Sequence, residues 1–176
     1  IESALRAAGG PQVWRAMKVQ EVTPDSNTSP LLAGANFADA YRIDVQGGAL
    51  DARHAAVLIT SRSPRWVETL TRLRNTLVAP FGLKTSGETE IPRRETIGLF
   101  PVLAETPDRM IMGFNDKHLD FRVVVDVVPP GSVPSQQVTL TTLVKTHNWF
   151  GRIYLATIMP FHRLIAPALL RKIAMG

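Results

Sequence analysis

The stretch from Thr146 to Gly176, THNWFGRIYLATIMPFHRLIAPALLRKIAMG, constrains the fold more than any other part of this chain. It is long and apolar, and it follows directly on a run of strand-forming residues. A helix of that size has to bury one side, and a curved antiparallel sheet is the natural surface to receive it. Arg152, His162 and Arg163 interrupt every window of the roughly 20 apolar residues that a spanning helix wants, and Pro160 and Pro167 fall inside as well. Arg152 and Arg163 share a face, three helical turns apart, with Arg171 about 80° round from Arg163. The pattern predicts an amphipathic helix with a narrow polar stripe and no membrane span. Lying flat on an anionic membrane is the alternative to burial on the chain's own sheet. Helix on sheet tends to leave a hollow, and a hollow can hold a ligand.

The bulk numbers narrow the classes. At 176 residues the chain is expected to form one domain with a real core. Its lack of cysteine removes disulfides, thiolate ligands and a Cys nucleophile. IESALRAAGG has no apolar core of signal-peptide length, and a cytoplasmic location is the expectation. The net charge is +5, but Arg93-Arg94 and Arg72/Arg74 are pairs rather than a patch, so no nucleic-acid partner is expected. The oligomeric state is left open.

Residues 1–36 read as an N-terminal extension, with a short helical piece at 2–8 and the turn-rich TPDSNTSP. Residues 37–176 read as the single domain. FADAYRIDV alternates, with Phe37, Asp39, Tyr41, Ile43 and Val45 on one face, and Gly47-Gly48 ends the strand. Asp51 can cap a helix to about Ile59. Ser63-Pro64 opens a second, whose Trp66, Leu70, Leu73 and Leu77 make one apolar stripe ending at Pro80 and Gly82. After a polar loop (Thr85 to Arg94), strands are predicted at 96–104, 109–115, 117–128 and 136–147.

Register follows from the turns. A two-residue turn at Asn115-Asp116 sets Met112 against Leu119 and Met110 against Phe121. A loop centred near Ser132 and Val133 sets Phe121 against Val144 and Val123 against Thr142. One face then holds Leu103, Met110, Met112, Leu119, Phe121, Val123, Leu140, Thr142 and Val144. The other holds His118, Asp120, Arg122, Lys145 and His147, and both hairpins give the same partition. The order of strand, two helices, antiparallel strands and one long helix predicts an α+β helix-grip fold, with the sheet wrapped around the C-terminal helix.

Four phrases carry a family resemblance: FADAYRI at 37–43, LRNTLVAPFGLK at 73–84, DKHLDFRV at 116–123 and THNWFGRIYLATIMPFHRLI at 146–165. They resemble a bacterial family catalogued as domain of unknown function 2867. The resemblance implies a START-like, helix-grip fold with a cavity and implies no particular activity. Related helix-grip proteins bind lipids, sterols or plant metabolites, and some are cyclases, aromatases or hydrolases.

Two groups of residues could carry chemistry. Asp39 lies on the apolar face of its strand, where a carboxylate lining a dry cavity is a candidate general acid or base. Otherwise it sits at an open strand start. His118, Asp120 and Arg122, at every second position of one strand, could move a proton and hold an anion. With Lys145 and His147 beside them they could equally be a solvent-facing, salt-bridged strip. Met110, Met112, Phe121, Trp149 and Tyr154, with Tyr41, are candidate cavity walls or simply core. His162, after Pro160, is a candidate contact for a ligand head group. Asn148 or Thr146 is the expected helix cap. The four histidines lack metal-binding spacing, and neither a phosphate loop nor a GxSxG elbow is present, so no metal or cofactor is expected. The leading expectation is binding of a small hydrophobic molecule between sheet and helix. The alternative is a cofactor-independent enzyme, a cyclase, isomerase, lyase or hydrolase, in the same place.

Overall fold

A computed structural model describes residues 15–16, 18–46, 50–60, 95–98, 100–130 and 135–174. The predicted helices at 2–8 and from Ser63, the loop from Thr85 to Arg94, Gly47-Gly48 and the Ser132-Val133 turn lie outside them. The strands are β1 (Arg15–Ala16), β2 (Gln20–Val22), β3 (Phe37–Gln46), β4 (Thr96–Ile97), β5 (Phe100–Glu105), β6 (Arg109–Asn115), β7 (Leu119–Val128) and β8 (Ser135–Thr146). They form one antiparallel sheet in the order β1-β3-β8-β7-β6-β5-β4, with β2 also pairing with β3. Among the described residues two α-helices accompany it, α1 (Ala52–Thr60) and the long α2 (Trp149–Leu170), which runs on into a 3-10 turn at Arg171–Ala174. This is the α+β helix-grip arrangement.

Period-two alternation sorts the sheet into two faces. The β7–β8 register is the predicted one, with Phe121 opposite Val144 and Val123 opposite Thr142. The β6–β7 register differs: Met112 faces Val123, Met110 faces Val125, and Asn115 pairs with Asp120. The turn therefore spans residues 116–119 rather than two residues, and Asp116 N donates to Leu119 O at 3.1 Å. The slip is even, so every side chain keeps its predicted face. Two expectations on the edge of the sheet are corrected. The strand predicted at 96–104 is two strands, folded back at Gly98, whose φ of 61° suits glycine. A bulge between Val102 and Ala104 sets Val102 opposite Met112, on the face predicted to hold Leu103.

Both faces are covered. On the helix face, α1 and the C-terminal end of α2 enclose the core. Met110, Ile43, Val125, Val138, Leu170 and Ile173 are each at most 1% exposed. A fully buried Leu or Ile contributes about 1.5–3 kcal/mol, so Leu170 and Ile173 hold the end of α2 down firmly. Asp51 caps α1 as expected, accepting from His54 N at 2.6 Å. The Gln136 side chain accepts from Leu50 N (2.8 Å) and donates to Leu50 O (3.0 Å), tying the approach to α1 onto β8. On the outer face, Ala40, Val124, Thr141 and Leu143 are buried with Leu32 and Thr28 of the N-terminal segment. Asn36 locks that segment to the end of β8, donating to Thr146 Oγ1 at 2.7 Å and accepting from Thr146 N at 3.2 Å.

Candidate functional site

Asn148 caps α2, accepting from Gly151 N at 2.9 Å. The first turn then passes so close to the turn before β7 that a Cβ on Gly151 would lie 2.3 Å from the His118 carbonyl oxygen. From there the helix crosses toward β3 and brings His162 onto the apolar face of that strand. His162 Nε2 lies 3.1 Å from Asp39 Oδ1 and 2.9 Å from Oδ2, with side chains 19% and 9% exposed. Only the Oδ1 contact has hydrogen-bond geometry, and Oδ2 is buried without an aligned donor. The Phe37 ring meets the imidazole edge-on, with centroids 6.1 Å apart.

Tyr41, two residues further along the same face, is 5% exposed. Burial pushes its phenol above the ordinary value, and the neighbouring Asp39 carboxylate adds to the rise. The Arg163 guanidinium opposes the shift. Asp39, Tyr41 and His162 thus form a small polar cluster in an otherwise apolar seam. Sequence reasoning had singled out each residue but had not joined them. No local signal can pair residues 123 positions apart. The Phe37 contact was missed as well, although its place on the face was readable from the alternation.

The second constellation is divided. Asp120 and Arg122 are on the outer face, away from Asp39, because they alternate with Phe121 and Val123 along β7. Asp120 pairs with His147, Oδ1 to Nε2 at 3.0 Å. Arg122 Nη1 donates to the carbonyls of Phe114 (3.1 Å) and Phe121 (2.8 Å), and burial lowers its guanidinium from the usual value. His118 is in the turn rather than in the strand. Its Nδ1 is 3.0 Å from Asn148 Nδ2, and its ring packs on Phe150 at 5.0 Å. These contacts hold the start of α2 in place.

The wall candidates also separate. Met110 and Met112 are wholly buried in the core, and Trp149 is 70% exposed. Phe121 is half-buried in a row of rings, 5.6 Å from Phe100 and 5.7 Å from Phe114. Tyr154 is half-buried on the helix. Among the described residues no three His, Asp or Glu groups converge as a metal site would require.

A sheet that receives a long capped helix, with one buried carboxylate–imidazole pair between them, defines a helix-grip domain with a polar point in its seam. Residues 31–169 match the family described as "Protein of unknown function (DUF2867)", and the chain belongs to that family. No curated protein matches it.

Proposed function

We propose that the chain binds a small, largely hydrophobic molecule between α2 and the sheet, with Asp39 and His162 as its polar anchor. The observation that supports this is the Asp39–His162 pair itself. A structural seam is served as well or better by apolar side chains, since taking a polar pair out of water costs about what its attraction returns. Half-buried aromatic surface on the same face, at Phe37, Phe114 and Phe121, supplies apolar contact of the kind such ligands need.

Native mass spectrometry of gently purified protein is expected to show a retained small molecule. Uptake of a hydrophobic fluorescent probe is expected to fall at least tenfold in Asp39→Asn and in His162→Ala, with the circular dichroism unchanged. Uptake that is absent from the wild type, or equal in all three proteins, sinks the reading.

A second reading draws on the same pair. A carboxylate holding an imidazole is a general acid–base arrangement, and the Tyr41 phenol is a further proton-bearing group beside it. Cofactor-independent cyclase, isomerase, lyase or hydrolase chemistry on the bound molecule would use it. Loss of turnover in Asp39→Asn with ligand retention intact separates this reading from simple binding.

A further inference from the structure

Neither the core nor the seam uses the outward side of α2. Although its arginines and His162 break any wholly apolar window, Trp149–Ile173 is in length and mean hydropathy apolar enough to cross a membrane, yet only 11% of its most apolar stretch is buried. A core helix of that character would be mostly covered. At 100° per residue, Trp149, Ile153, Pro160 and Leu164 fall within about 60° of one another. Trp149, Ile153 and Leu164 are 70%, 56% and 66% exposed. Arg152 and Arg163, both exposed, run along one edge of this ridge.

Charge identifies the occupant. Asp126 is the last acidic residue of the chain. Beyond it come Lys145, Arg152, Arg163, Arg171 and Lys172, so the whole net charge of +5 resides in residues 127–176 and the remainder balances to zero. A second copy fits poorly. Symmetric antiparallel pairing of two ridges would set each copy's Arg152 against the other's Arg163, with no acid on either helix to offset them. Residues 61–94 carry seven Lys and Arg against three Glu, so their charge offers no complement either. An exposed Trp at one end of an apolar ridge edged by arginines suits the boundary of an anionic bilayer.

We propose that α2 docks the protein flat on an anionic lipid surface, ridge inward, with Arg152 and Arg163 at the level of the head groups. The opposite side of the helix stays on the sheet, because His162 is tied to Asp39 and Ala166, Leu170 and Ile173 are buried. The helix therefore lies along the surface and does not cross. This inference does not depend on what the seam binds.

The chain has no cysteine, so Leu164→Cys accepts a single environment-sensitive fluorophore. Wild-type protein is expected to sediment with vesicles of equal parts phosphatidylserine and phosphatidylcholine, and the label to shift to the blue. Neither should occur with phosphatidylcholine alone, and raised salt should release the protein. Each basic residue near such a surface contributes about 1 kcal/mol, so Arg152→Ala with Arg163→Ala should weaken binding roughly thirtyfold. Both side chains are exposed, and circular dichroism checks that the fold is kept. Equal binding to neutral vesicles, or none to anionic ones, overturns the proposal. So does a label already shielded from acrylamide without vesicles. At low protein concentration that places the cover within the chain, and shielding that grows with concentration makes it a second copy.

Discussion

A carboxylate only 9% exposed needs a partner, and Asp39 finds one on an element 123 residues away. Removing that partner leaves a buried acceptor unsatisfied, at about 1–3 kcal/mol. His162→Ala is therefore expected to lower the free energy of unfolding in urea by that amount, and Asp39→Asn, which keeps a hydrogen-bonding side chain, by less. Tyr41 gives a pH signature. Its folded-state pKa lies above 10.0, so the folded protein holds the phenolic proton more tightly than the unfolded chain does. Its contribution to stability is complete below pH 10 and is lost as pH rises through the raised value. Of the chain's two tyrosines, one should ionise late in a tyrosinate absorbance titration, and Tyr41→Phe should remove that component. The inward direction of Asp39 and Tyr41 was legible from strand alternation. Their convergence with His162 was not, because it depends on the angle at which α2 crosses the sheet.

At the start of α2 two substitutions test different forces. Asn148→Ala removes the cap and is expected to cost about 1 kcal/mol in thermal or urea unfolding. Gly151→Ala ought to stabilise an isolated helix by roughly 0.5–1 kcal/mol on propensity alone. Here a Cβ would meet the His118 carbonyl at 2.3 Å, so the expected sign is reversed. The first turn should lift, changing the near-ultraviolet signal of Trp149 and lowering the midpoint by more than Asn148→Ala does. Element boundaries were legible wherever alternation ran for seven residues or more, as in β3, β6, β7 and β8. The two-residue β4 and the bulge at Leu103 were not, since they carry too few residues to show a period. The β6–β7 turn was misjudged by length, yet the partition of faces survived because only an odd slip exchanges them.

For the whole molecule, the order of strands and helices predicted a helix laid on an antiparallel sheet. The described part of residues 1–36 was harder to read. β1 and β2 are only two and three residues long, and the segment from Thr28 to Leu32 covers the outer face without any periodic pattern. The strand order has a further consequence, for the birth of the protein. β8 stands between β3 and β7, so β3 pairs with a strand that leaves the ribosome long after it. Phe37 and Val144 are more than a hundred residues apart, and loop-closure entropy must be met before that contact rewards it. Pulse-labelled hydrogen exchange during refolding is expected to protect the β6–β7 hairpin first, and β3 and β8 together afterwards. Until β8 and α2 have been made, the strand that carries Asp39 has an open edge and no helix above it. For that interval the unpaired edge of β3 is a template on which a neighbouring chain can pair.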